Sequence, residues 1–391
     1  MSVTVSPARD PAEASAFFRL ACEALLVPVA LAEPWCAREG LANLRVARVD
    51  ARLAGGLTVQ RLGQWFGGVS VPCGVVRCVA VSPEFRGAGV ADAFLRHALL
   101  ELREAVVPLA MLFPATQVVY RRVGFEQAGS WVDWTLPTSE LSSRERSLPM
   151  QRVGLDEPAL RAVYDAFARR SPGLLDRNEW AWKRTLDPAS PLELSAYLLG
   201  PTSAPEGYLV IHTERYPNVH QGLLRIRDRA FLTPRALVRA RAFLAEHRSV
   251  IERVVVSGGL VEPLFVTLPN QLQRIVRRED WMLRLVDVPA ALRARGYARG
   301  VDAEVALLVH DDVLAPHAQA LRLRVRDGVA EVSVGGAGDA VIDVRGLAAL
   351  YSGHLSPEEI HALGYLTGDA RAWAALGAIF AGPRPWMTEI V

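Results

Sequence analysis

The chain has 391 residues, of which 51% are hydrophobic and 22% charged, and a formal net charge of +2. At roughly 100–200 residues per domain this length makes two or three domains, and the apolar content excludes a disordered chain. The positive charge is nearly all arginine, as a G+C-rich genome would give, with Lys183 the only lysine; no long like-charge run occurs, which argues against a nucleic-acid binder.

The N-terminal MSVTVSPARDPAEAS has neither a basic nor an apolar signal region. The apolar run Ala21 to Ala32 holds Glu23 and Pro28 and is too short to span a bilayer. Cys22, Cys36, Cys73 and Cys78 show no CxxC spacing, so a cytoplasmic protein with reduced thiols and no membrane span is expected.

A helix is predicted over Pro11–Leu26, followed by strands at Leu44–Val49 and Leu53–Arg61. The β-branched run Val75–Val81 reads as a strand, Ser82–Gly89 as a turn, and Val90–Ala105 as a helix with Val90, Phe94, Leu95, Ala98, Leu99 and Leu102 on one face. Val107–Phe113 is a second buried strand, Ala115–Val123 a short helix ended by Gly124, and Trp131–Leu136 a further strand. The polar, Ser-rich stretch Leu136–Met150 reads as a linker. A middle segment repeats the same kinds of parts, with strands at Glu206–His212 and Val254–Val256 and a helix at Pro234–His247. A softer break lies near Val286–Gly300, with Pro289 at a helix start and Gly296 after its end. Strands are then predicted at Val301–His310, Ala320–Asp327, Val329–Val334 and Ala340–Asp343, and helices at Val344–Tyr351, Pro357–Leu363 and Asp369–Phe380. Three segments result, near 1–137, 138–287 and 288–391.

Chemistry concentrates in the turn Arg86-Gly87-Ala88-Gly89-Val90-Ala91. Glycines let the backbone turn tightly, and the free N–H groups of the helix start bind an anion with help from the helix dipole. Arg86 can add a charge-assisted contact. A site for a pyrophosphate is expected, although a plain glycine turn could also start a helix. A dinucleotide fingerprint would need a third glycine where Asp92 stands, and an acidic residue after the strand VPLAMLFP; neither occurs. The middle segment has no counterpart of this turn.

R-x-x-G-x-A between strand and helix resembles the acetyl-CoA motif of GNAT acetyltransferases, and Tyr120-Arg121-Arg122-Val123-Gly124-Phe125 resembles the family's Y-x-x-x-G-F signature. The resemblance implies that the main chain around Val79 and Val81 pairs with the pantetheine amides of acetyl-CoA. The N–H groups of Gly87, Gly89, Val90 and Ala91 would hold the pyrophosphate, and Tyr120 would lie near the thioester sulfur. A tyrosine of pKa about 10 suits protonation of a departing thiolate.

Over essentially all residues the chain is more closely similar to the Eis branch of that family, through MLRLVDVPAALRARGY at 282–297, DVRGLAALYSGHLSPEEIHALGYL at 343–366 and the tail PRPWMTEIV at 383–391. That resemblance implies an α+β chain: two GNAT-like mixed-sheet domains in tandem, the second degenerate and without cofactor, then a sterol-carrier-protein-like α/β domain. It also implies a homo-hexamer of two stacked trimers, and a terminal carboxylate that enters the first domain's active site, so that the Val391 α-carboxylate would be the base. The family expectation is a terminal aromatic; valine offers a smaller anchor. A free α-carboxyl has a pKa of about 3.3–3.7, so burial must raise it or water must relay the proton.

Pro383 and Pro385 prevent a helix, and Trp386, Met387 and Ile390 make an extended, docked tail the natural reading. Glu33, Trp35 and Glu389 are candidates for the acceptor pocket, each carboxylate being as readily a plain solvated charge. The acceptor implied is a primary amine: an aminoglycoside-like polyamine, a lysine side chain or a polyamine, with longer acyl donors also open. A rival of another class is a non-catalytic scaffold carrying an apolar ligand in its last domain. No histidine spacing suggests a metal, no GxSxG elbow occurs, and Cys73 and Cys78 read as buried fillers.

Overall fold

The computed structural model describes residues 2–141, 143–187, 192–217, 220–314, 320–336 and 338–390. In chain order the first third forms β1 (Val3–Pro7), α1 (Pro11–Ala24), α2 (Ala32–Glu39), β2 (Leu44–Val49), β3 (Arg52–Phe66), β4 (Val69–Val81), α3 (Val90–Glu104), β5 (Leu109–Leu112), α4 (Gln117–Arg121) and β6 (Glu126–Pro137). The middle forms β7 (Met150–Val153), α5 (Pro158–Ala168), β8 (Leu175–Asp176), α6 (Glu179–Thr185), β9 (Ser195–Leu199), β10 (Gly207–Arg215), β11 (Gly222–Phe231), α7 (Pro234–Glu246), β12 (Ile251–Gly258), α8 (Pro263–Val266) and β13 (Arg274–Leu285). The last part forms α9 (Val288–Ala294), β14 (Ala303–His310), β15 (Ala320–Arg326), β16 (Val329–Val334), β17 (Ala340–Asp343), α10 (Val344–Ser352), α11 (Pro357–Ala362), β18 (Leu366–Gly368) and α12 (Ala370–Phe380).

The chain divides into two compact units. One comprises residues 2–128 and Trp281–Gly382, the other Gly129–Asp280 and Pro383–Ile390. In the first unit the strand order is β1-β2-β3-β4-β5-β13, all antiparallel neighbours except the parallel pair β4/β5 that α3 connects. In the second unit the order β6-β12-β11-β10-β9-β7 repeats this plan, with β11/β12 the parallel pair and α7 its connection. Each sheet is completed by a strand from the other repeat: β13 pairs β5 and β6 pairs β12. Of these two strands the sequence predicts only β6, as Trp131–Leu136; β13 and the exchange are not expected from it, because partner choice is a tertiary property.

In the first unit α3 lies on the sheet with Val90, Phe94, Leu95, Ala98, Leu99 and Leu102 buried, the face that the sequence assigns to the core. The C-terminal part of this unit carries a five-stranded sheet of order β16-β15-β14-β17-β18. Its attachment to β3 and β4 is close: Gly296 N–H donates to Phe66 O at 3.2 Å, and the Phe66 and Tyr351 rings meet edge-on at 5.2 Å. The stretch of Glu33, Pro34 and Trp35 forms α2, with Trp35 packed on the core formed by α1, β2 and β4.

Candidate active site

β4 pairs with β3 along its whole length to Val81, but with β5 only through Cys73, Gly74 and Val75. Past Val75 the two parallel strands part, which opens one edge of β4 toward the side where β5 would have continued. A bulge marks the same stretch. The β3 register shifts between Gly56 and Thr58, and Cys78 on β4 has φ 50°, a left-handed conformation that costs a non-glycine residue about 1–2 kcal/mol. Val79 and Val81 follow it and are half-buried against the core around α3. Strain close to the point where the β5 ladder ends suits a strand built to accept a ligand's amides rather than another strand.

From β4 the chain enters the Arg86–Gly89 turn, which is exposed throughout. Gly87 and Gly89 have φ 80° and 77°, and a Cβ at either would meet no heavy atom within 4 Å. The glycines therefore serve conformation rather than packing. No side chain caps α3 at Gly89, so the N–H groups at its start face outward. In the second unit the equivalent helix start is closed: Thr233 caps α7 by accepting from Ala236 N–H at 3.2 Å, and Pro234 brings no N–H at all. One repeat thus presents an anion cradle and the other does not. An unhindered glycine turn before an uncapped fifteen-residue helix fits the diphosphate of acetyl-CoA.

Tyr120 sits near the end of α4, buried in the same core as Val90, Ala91 and Val81. Its carbonyl accepts from the N–H groups of Val123 at 3.0 Å and Phe125 at 3.1 Å, and its ring meets Phe125 edge-on at 6.3 Å. Gly124, at φ 85°, lies against Arg284, whose guanidinium carbon would be 2.8 Å from a Cβ there. Arg284 is fully buried and paired with Asp311 at 2.6 Å. The glycine of the motif is thus required by a close approach as well as by its turn. Burial pushes the Tyr120 phenol up to about 12, so it is a neutral hydroxyl at physiological pH.

Of the acceptor-pocket candidates, Glu33 is exposed on the first turn of α2 and Trp35, two residues on, is half-buried. Sequence reasoning missed Glu39 at the far end of the same helix. Its carboxylate is fully buried, 3.2 Å from Arg77 of β4, and accepts from Thr58 Oγ1 and Gln60 Nε2. This network ties α2 to the strand just before the bulge. Cys73 and Cys78 are buried, as expected of fillers, and burial raises the Cys73 thiol. Among the described residues, no group of three or more His, Cys, Asp or Glu side chains could hold a metal, and no helix is long and apolar enough to cross a membrane.

Glu389 belongs to the second unit, where the tail Pro383–Ile390 is docked in extended form. Ser130 N–H donates to Pro385 O and Met387 N–H to Ser130 O, both at 3.2 Å, and Trp131 Nε1 donates to Thr388 O at 3.1 Å. Arg177, fully buried, donates to Asp228 at 2.7 and 3.1 Å and to Glu389 at 3.1 and 3.0 Å, and lies 3.8 Å over the Tyr164 ring. Burial opposes ionisation of Glu389, but the Arg177 guanidinium and Thr388 outweigh it and hold the carboxyl below its ordinary range. Its contribution to stability is therefore present at neutral pH and is lost as the pH falls through that lowered value. Arg177→Met would strand two buried carboxylates and should destabilise the protein by roughly 3–5 kcal/mol, read as a lowered Tm at pH 7. The difference from wild type should shrink as the pH falls below 4; equal Tm values at pH 7 would refute this account. Val391 lies outside the described residues.

Comparison with known proteins agrees with this architecture. Residues 6–128 and 173–285 each match the family described as acetyltransferase (GNAT) domain, and residues 288–388 match the sterol carrier protein domain. The crystal structure of a GCN5-related N-acetyltransferase from Anabaena variabilis is 34% identical, each chain covering 100% of the other, with a TM-score of 0.96. The chain belongs to the GNAT family of N-acetyltransferases. An uncharacterized N-acetyltransferase of Streptomyces griseus is 28% identical over 366 residues, with 83% of each chain covered. The N-acetyltransferase Eis of Mycobacterium tuberculosis is 26% identical over 345 residues, covering 82% of this chain and 81% of that one. The chain is thus an Eis-like GNAT enzyme, with two GNAT domains followed by a sterol-carrier domain. GNAT acetyltransferases generally use acetyl-CoA, and the open helix start described above lies inside the first matched GNAT region.

Proposed function

We propose that the first repeat transfers an acetyl group directly from acetyl-CoA to a primary amine. The observation that carries this reading is the uncapped start of α3 behind a glycine turn with free space around it, directly after a strand that parts from β5 beyond Val75. The pyrophosphate sits on the N–H groups of Gly87, Gly89, Val90 and Ala91 with Arg86 beside it, and the pantetheine amides pair with β4 at Val79 and Val81. The amine nitrogen attacks the thioester carbonyl, the C–S bond breaks, and the Tyr120 hydroxyl gives its proton to the leaving thiolate. The ammonium proton passes to a carboxylate, the resemblance assigning this to the α-carboxylate of Val391.

Acceptors in keeping with the Eis-like sequence are aminoglycosides, acetylated at more than one amine, with polyamines and lysine peptides as rivals. Glu33 and Trp35 on α2 are suited to one wall of the acceptor pocket, and the engagement of Glu389 by Arg177 suits it to fixing the tail. The sequence resemblance extends to a cytoplasmic homo-hexamer of two stacked trimers. The test is acetyl-CoA binding by the full chain, followed by coenzyme A release across the three amine classes. Saturable binding and release with at least one class are expected; no binding of acetyl-CoA would end the proposal. One residue added after Val391 should abolish turnover while leaving Tm and acetyl-CoA affinity unchanged, and an active extended enzyme would remove the terminal carboxylate from the mechanism.

A further inference from the structure

The second unit contains a cavity of about 340 Å³ whose wall carries four arginines, Arg184, Arg225, Arg227 and Arg277, against two carboxylates, Asp133 and Glu389. Both carboxylates are already engaged. Asp133 accepts from Arg225 at 2.9 Å, and Glu389 from Arg177, which stands behind the wall. Among the described residues, Arg227 donates to main-chain carbonyls alone, those of Thr185 at 3.0 Å and Arg184 at 3.2 Å. Its charge is therefore held by neutral acceptors. Arg277, itself exposed, lies 5.5 Å over the Trp131 ring and 3.1 Å from the half-buried Glu279. Arg184 donates to the carbonyl of Ile390, so the tail forms part of the same wall.

A volume of this size lies at the lower end of small-molecule sites, which run roughly 300–1,000 Å³. Arg184, Arg225 and Arg227 are half-buried; Arg225 has Glu214 at 3.5 Å as well as Asp133, whereas the buried part of the Arg227 charge meets no carboxylate among the described residues. An oxyanion is the ligand that relieves the cost of such a guanidinium with paired, charge-assisted hydrogen bonds. The face of Trp131 adds a flat apolar surface beside the charges. We propose that this cavity is a binding site for a small molecule bearing a carboxylate or phosphate group. The charge sign is the reverse of what a polycationic ligand needs, so a bare polyamine is excluded from this cavity. The site is distinct in kind from the main-chain cradle of α3, because it reads the anion through side chains on β6, α6, β11 and β13 and through the tail.

The experiment is isothermal titration of the full chain with succinate and, separately, with inorganic phosphate, which distinguishes the two oxyanion classes. At least one should bind once per chain with a Kd on the order of 0.1–1 mM. Arg227→Gln and, independently, Arg277→Gln should each raise that Kd by about tenfold or more. Arg277 is exposed and supports no main chain, so its variant keeps the test valid if Arg227→Gln fails to fold. Acetyl-CoA affinity, measured in parallel, should be unchanged in both variants. The proposal is overturned if neither anion binds saturably, or if both variants bind like wild type. Those results leave acetyl-CoA binding untouched, just as loss of acetyl-CoA binding would leave this site standing.

Discussion

Tyr120→Phe should lower kcat for acetyl transfer by about 10²–10⁴-fold while the KM for acetyl-CoA stays within about twofold. The substitution removes one oxygen and keeps the ring, so the edge-on contact with Phe125 at 6.3 Å and the buried packing persist. What disappears is the proton that the leaving sulfur needs. A phenol pushed up to about 12 is a weaker acid than an exposed tyrosine, which at first sight argues against the role. The thiolate, however, forms in the same low-dielectric cleft. The burial that disfavours phenolate also disfavours thiolate, so the two acids move up together and the transfer stays nearly balanced. The pH profile follows from the sign. A raised phenol pKa means that raising the pH toward 10 removes no proton from Tyr120, so kcat should show no alkaline fall up to about pH 10. Steady-state kinetics from pH 6 to 10 measure both effects. A Tyr120→Phe enzyme with wild-type turnover would take this residue out of the chemistry.

The features legible in the sequence are those encoded by neighbours in the chain. A β-branched run, a turn holding two glycines and an amphipathic helix lie within thirty residues, and each dictates its own conformation; α3 is found at Val90–Glu104 with the expected buried face. The Tyr-x-x-x-Gly-Phe signature was equally local, and its glycine proves to be needed both for a turn and for room beside Arg284. The missing phosphate turn of the middle repeat was also readable, since Thr233 and Pro234 are a helix start that closes itself. The helix α2 was not legible, because Glu33, Pro34 and Trp35 follow another proline and look like a loop until Pro34 is placed in the first turn, where its missing N–H costs nothing. Nor was the exchange of β6 and β13 between repeats, the bulge at Cys78, or the buried assembly of Arg177, Asp228 and Glu389. These depend on partners far apart in the chain, and periodicity is blind to them. The four cavity arginines carry the same lesson, for in a chain where nearly every cation is arginine no single one of them stands out.

The second large effect is expected at Gly89, and it isolates the electrostatics of the cradle. Asn and Asp are nearly the same size, and both tolerate the left-handed backbone that Gly89 adopts at φ 77°. A Cβ there meets open space, so both variants should fold at a cost of about 1 kcal/mol in backbone strain. A carboxylate at a helix start even interacts favourably with the dipole, and should offset part of that strain in the Asp variant. The two differ in one respect: Gly89→Asp places a negative charge where the diphosphate is held. Acetyl-CoA should bind Gly89→Asn within about tenfold of wild type, and Gly89→Asp about 10²-fold more weakly than Gly89→Asn. The gap should narrow as salt is raised, because the site is exposed and its repulsion is screened over about 10 Å at 0.1 M ionic strength. Titrations of the two variants at low and high salt provide the measurement. Equal affinities would mean that the cofactor's phosphates lie elsewhere, and the assignment of catalysis to the first repeat would lose its physical basis.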